Sequence, residues 1–191
     1  MKALTLMHRL ICLTLSLSLV SCGWKVTPPP FEQETVPHNL IADATVLTVN
    51  DGGVIWGRGE LGEIVQKTLI NRGAFKDIYY PVEPRNPPDY RLIITASGNI
   101  EEEIGLGIVK SIFIGMLFFI PVGIIRFHRD FVLDADVTLL KQGHELRHFN
   151  SKTETGVSHT MFSDANHYEP EARQKAFEDL ALRIIVKLKG L

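Results

Sequence analysis

His144-Glu145-Leu146-Arg147-His148 spells H-E-x-x-H. On a helix, two histidines four residues apart face one metal ion, and the glutamate between them acts as the general base of a zinc hydrolase. On a strand the same two residues stand ~13 Å apart, at about 3.3 Å per residue. Zinc–nitrogen bonds of about 2.0–2.1 Å cannot bridge that gap. The residues just upstream choose between the two. Phe131, Leu133, Ala135, Val137 and Leu139 alternate with Val132, Asp134, Asp136 and Thr138, the period of a half-buried strand. Lys141-Gln142-Gly143-His144 then supplies the glycine of a tight hairpin turn. We therefore read Glu145 to about Met161 as the returning strand and expect no metal site. His159, His167 and Glu169 do not follow the spacing of a third zinc ligand.

Two further patterns could do chemistry. Asp134 and Asp136 share one strand face, and paired carboxylates can exchange protons. We read them instead as a solvated outer face of the sheet. Gly57-Arg58-Gly59-Glu60-Leu61-Gly62 is G-x-G-x-x-G, with Glu83 further along the chain. A dinucleotide site needs this string inside a parallel βαβ unit, with pyrophosphate on the helix N-terminus. Glu60 places a negative charge there, and only Val54-Ile55-Trp56 reads as strand before it, so we read a turn leading into a helix. Ser–His–Asp, Cys–His and EF-hand patterns are missing from the sequence. We expect a protein that is not an enzyme and has no catalytic residue, cofactor or metal.

The elements that hold these residues begin after a leader. Lys2 and Arg9 precede an uncharged run, Leu10 to Val20, too short for the roughly 20 residues of a membrane span. Residues 1–21 read as a secretory signal peptide. Leu19-Val20-Ser21-Cys22 resembles the acylation site of bacterial lipoproteins. That resemblance implies that Cys22 is lipidated on sulfur and becomes the new N-terminus. Gly23 stands where, in the enterobacterial sorting pattern, an aspartate retains a lipoprotein in the inner membrane; the resemblance thus favours the outer membrane. Of the two cysteines, Cys12 lies in the leader and Cys22 carries the lipid, so no disulfide supports the domain. Loss of Lys2 and Arg9 leaves 18 basic against 22 acidic residues, a net charge of −4, which argues against a nucleic-acid partner. Residues 22–40, with Pro28-Pro29-Pro30 and Pro37, read as a lipidated tether.

Residues 41–191 read as one domain. Strands are expected at Ala44–Val49, Val54–Trp56, Ile78–Tyr80, Tyr90–Ala96 and the long hairpin. Leu61, Ile64, Val65 and Leu69 make a helical stripe that Gly73 ends. Ala172, Ala176, Leu180, Ile184 and Leu188 make a second, starting near Glu169. This order predicts an α+β fold, a mostly antiparallel sheet covered by two helices. LINRGAFKDIYY (69–80), PDYRLIITASGN (88–99) and VLDADVTLLKQGHELRH (132–148) resemble the domain shared by curli-secretion-channel lipoproteins and the N-terminal domain of the Tol-Pal β-propeller protein. That resemblance implies an envelope assembly, and for the channel lipoproteins a membrane-inserting hairpin between the third strand and the long one.

This chain has an apolar insertion at that place, residues 104–126. Gly105 to Ile125 carries one charge, Lys110, and shows no alternation, so it reads as helical and buried in protein or lipid. Pro121 and Gly123 break it into a hairpin or re-entrant piece. A membrane span and a buried core element are the other readings. Ile112, Phe113, Leu117, Phe118, Phe119 and Ile120 are the candidate membrane or partner contacts. The expectation is a lipid-anchored envelope protein that self-associates as a homo-oligomer or docks on an envelope protein through this insertion. A secretion-channel-like subunit and a membrane-bound zinc hydrolase are the alternatives.

Overall fold

Alternation of apolar and polar residues carries the longest part of the fold. The computed structural model describes residues 23–27, 40–41, 43–102, 109–110, 112, 126–160 and 163–189. Within them Arg126–Lys141 and His144–Thr160 form an antiparallel hairpin. Its inward residues Phe131, Leu133, Ala135, Val137 and Leu139 are at most 1% exposed. Gln142 and Gly143 turn the chain with φ of 51° and 81°, the left-handed pair that a two-residue hairpin loop needs.

In chain order the strands are Trp24–Thr27 (β1), Thr45–Val54 (β2), Ile78–Tyr79 (β3), Tyr90–Glu102 (β4), and the two hairpin arms (β5 and β6). They form one sheet ordered β1-β6-β5-β4-β2-β3. Leu61–Asn71 (α1) and Ala165–Leu188 (α2) pack together on one face of it. Leu47, Leu92 and Ile94 from the sheet meet Leu61, Val65 and Leu69 from α1 and Phe177, Leu180 and Ile184 from α2 in a single core.

The expected mostly antiparallel sheet is corrected to a mixed one. β1, β6, β5 and β4 pair antiparallel, but β2 is parallel to both β4 and β3. The cause is α1, which carries the chain from the end of β2 back to its start, so the strands that follow run the same way. β2 is also one strand and not two: a register shift between Asn50 and Gly53 absorbs the Asn-Asp-Gly-Gly stretch as a bulge. Residues 24–27 read as tether, yet they pair with Gly156–His159 at the sheet edge and bury Val26. The signal peptide, Cys22, residues 28–39 and most of the apolar insertion, including Phe113, Leu117, Phe118, Phe119 and Ile120, lie outside the described residues. Val109, Lys110 and Ile112 are helical. Among the described residues no helix is long and apolar enough to cross a membrane.

α2 starts earlier than its apolar stripe indicates. Asp164 caps it by accepting from the backbone N–H of Asn166 at 2.9 Å, so Pro170 lies inside the helix and not in its first turn. That bond, with the neighbouring His167, holds the Asp164 carboxyl below the usual aspartate range. A carboxyl lowered on folding stabilises the fold above the ordinary aspartate pKa, and this contribution is lost as pH falls through the folded value. Asp164→Asn keeps a capping acceptor. It should flatten the acid limb of an unfolding titration followed by circular dichroism. Phe177→Ala empties a fully buried site and should lower the unfolding free energy by about 3–5 kcal/mol in urea denaturation.

Candidate functional site

The face of the sheet opposite the helices is polar, because the hairpin alternation sends its hydrophilic residues there. Register aligns Asn50, Thr95, Asp136 and Asn150 in one row across four strands, and Ser97, Asp134 and Lys152 in the next. Of these, Asn50, Thr95, Ser97, Asp134, Asp136 and Asn150 line a shallow groove of about 370 Å³. The Asn150 amide donates to Asp134 Oδ1 at 2.8 Å and to Asp136 Oδ1 at 3.4 Å. His148 Nε2 lies 3.8 Å from Asp136 Oδ1, with both side chains more than half exposed (52% and 62%). The paired carboxylates are thus brought together as the sequence implies, but an amide bridges them in open water. The amide of the neighbouring strand screens two like charges on β5; it does not aim either at a bound reactant.

The H-E-x-x-H string lies at the start of β6 and is extended throughout. Leu140 pairs with Glu145 and Leu139 with Arg147, so Leu146 is bulged out of the ladder. The helix that a zinc hydrolase requires is not present there, which removes the geometric basis of that alternative. Among the described residues no three His, Cys, Asp or Glu side chains cluster as metal ligands do.

G-x-G-x-x-G sits where a dinucleotide motif sits, between a strand and a helix of a parallel βαβ unit. The ten-residue β2 corrects the three-residue strand read from the sequence. Its donors are already used by acids. Gly59 N–H donates to Asp51 Oδ2 at 2.6 Å, and the Glu60 carboxylate lies 3.6 Å from Arg173. The Tyr80 hydroxyl is pushed up by burial, and then by the charges of Asp51 and Glu63, so the helix start is ringed with negative charge. Gly57 has φ of 73°, and a Cβ there would meet Arg173 Cδ at 2.9 Å and Phe177 Cζ at 3.0 Å. Gly57 and Gly62 serve close packing, against Phe177 and Tyr80, and Gly59 a positive φ of 85°.

A third cluster escaped the sequence reading. At the end of the sheet where β4 finishes and β5 begins, the Arg129 guanidinium binds Glu102 at 2.7 Å and Glu169 at 3.2 Å and donates to the Tyr168 hydroxyl at 3.3 Å. It thereby ties β4, β5 and α2 together. Burial pushes the Tyr168 hydroxyl up, while Arg129 opposes this. His159 stacks on Tyr168 at 4.9 Å and on Phe127 at 5.9 Å. Ser163 Oγ donates to the Gly23 carbonyl at 3.1 Å, and Trp24 Nε1 donates to Glu171 Oε2 at 3.3 Å. The Glu171 carboxyl is lowered by Lys175 and then by that indole. Cys22 precedes this cluster by one residue, and Ile112 is 54% exposed. The one clue in the sequence is Trp24, two residues after Cys22.

No family model matches the chain, and no curated protein matches it significantly. Solved structures similar in outline include a minor lipoprotein from Acinetobacter baumannii, with 11% identity, 81% of this chain and 94% of that one covered, and a TM-score of 0.49. The PelC dodecamer from Paraburkholderia phytofirmans matches with 10% identity, 87% and 98% coverage, and a TM-score of 0.39. Likenesses at these scores carry no statement about what this chain does.

The strand geometry of residues 144–148 predicts that the purified protein holds no stoichiometric zinc. Elemental analysis of the wild type and of His148→Ala should agree; metal lost only in the variant would restore the hydrolase reading.

Proposed function

We propose that this chain is a lipid-anchored protein of the bacterial cell envelope that works by docking or self-association and not by catalysis. One observation supports the anchor: Gly23, the residue after Cys22, is already engaged by the domain. Its carbonyl is held by Ser163, and Trp24–Thr27 is already paired with β6. Cleavage before Cys22 would leave the Gly23 contact and the β1–β6 pairing intact. A single acyl chain holds a protein only weakly, and stable attachment takes a second apolar element. Residues 104–126 supply one. The polar groove and the hairpin turn remain available for contact with an envelope partner or a second copy. The glycine at position 23 supports the outer membrane as the destination.

Cys22→Ala tests the reading. The variant should incorporate no labelled fatty acid and should move from the membrane fraction to the soluble fraction. Undiminished labelling of the variant would overturn the lipoprotein assignment.

A further inference from the structure

Sequence separates the anchor from the apolar insertion by some eighty residues (Cys22 to residue 104). Strand register brings them together. Trp24 pairs with His159, and His159 pairs with Phe127. The next step along each strand sets Gly23 beside Thr160, which is paired to Arg126. Glu102 pairs with Arg129 on the neighbouring strand. The chain therefore enters from Cys22, leaves for the insertion after Glu102 and returns at Arg126, all at one end of the sheet. The hairpin turn at Gln142-Gly143 marks the other end. The 16 residues of β5 separate the two ends, ~50 Å at about 3.3 Å per residue.

The same end exposes large apolar side chains and fixes them. Trp24 is 40% exposed while its indole N–H is held by Glu171, an amphipathic placement of the kind favoured at membrane–water interfaces. Val109 and Ile112 are 61% and 54% exposed. Between them Lys110 donates to the Arg126 carbonyl at 2.8 Å and lies 5.9 Å from the centre of the Phe127 ring. No spacer separates Cys22 from these groups, so a lipid on that cysteine sets this end against the bilayer.

We propose that the sheet end carrying Trp24, Lys110, Ile112 and Arg126 rests on the bilayer that receives the Cys22 lipid, with the strands rising away from it. The inference builds on the lipid-anchor reading: the exposed Trp24, Val109 and Ile112 meet the same membrane that receives the Cys22 lipid. The polar groove then faces sideways, parallel to the membrane surface, and the hairpin turn points away from it.

The acylated full-length protein in phosphatidylethanolamine–phosphatidylglycerol vesicles provides the test, with a spin label at Lys25→Cys or at Glu145→Cys. Both positions are exposed, so neither substitution disturbs the core. The Lys25→Cys label should relax with oxygen dissolved in the lipid and be shielded from an aqueous nickel complex. The Glu145→Cys label should show the reverse. A water-accessible label at 25, or lipid contact at 145, overturns the upright placement, as does a label at 25 that is shielded from both reagents by a protein contact. Mass spectrometry of the N-terminal peptide separates the two readings. An unacylated Cys22 overturns the anchor itself, whereas an acylated one with label 25 in water overturns only the docking end.

Discussion

Trp56 sits where the parallel crossover, the hairpin and the long C-terminal helix meet. Its indole stacks on Phe177 of α2 at 5.3 Å and 11°, and meets Phe131 of β5 edge-on at 5.2 Å and 89°. Ring pairs of this kind add about 0.5–1.5 kcal/mol each beyond simple burial. Gly57 and Gly98 are bare where a side chain would strike Phe177 and Trp56. The indole N–H is buried with no partner among the described residues, a cost of about 1–3 kcal/mol that the packing offsets. The parallel crossover of β2 and α1 is thereby locked to the antiparallel hairpin and to the long C-terminal helix. Every surface described above is held in place by that junction.

On the inner side of β6 the sheet presents hydroxyls to α2 where β5 presents apolar residues. Thr153 donates to Asp179, which is 5% exposed and also accepts from Arg183 Nε at 2.6 Å. Buried carboxylates are tolerated when paired in this way. The Lys187 ammonium donates to the Asn150 carbonyl, so α2 is tied polar-to-polar along β6 as well as packed on β5. Arg129 makes the corresponding tie at the helix start. The end of the sheet where β1 pairs with β6 is therefore tied to β4, β5 and α2.

Two strings of letters associated with enzymes occur in this chain, and their fates differ instructively. H-E-x-x-H was legible as inert, because period-2 alternation from Phe131 to Leu139 announces strand before the string begins. G-x-G-x-x-G was judged a turn partly on an upstream strand of three residues. The strand has ten residues and the parallel crossover is real. What disqualifies the string is Asp51 on the Gly59 amide together with Glu60 and Glu63 nearby. Asp51 reaches Gly59 only because the bulge at Asn50–Gly53 curls the strand end, a feature that local pattern does not encode.

The sequence by itself determined the half-buried hairpin and its turn and the two amphipathic helices. Each follows from short-range periodicity or from a residue type with one backbone preference. Only the tertiary structure decided that β2 runs parallel to its neighbours, that Trp24–Thr27 is an edge strand and not tether, and that Arg129 joins three elements. It also decided that Trp24, Glu102 and Arg126 lie at one end of the sheet. These depend on pairings between residues tens of positions apart. The free energy of such pairings comes from burial and backbone hydrogen bonds that no local window of sequence contains.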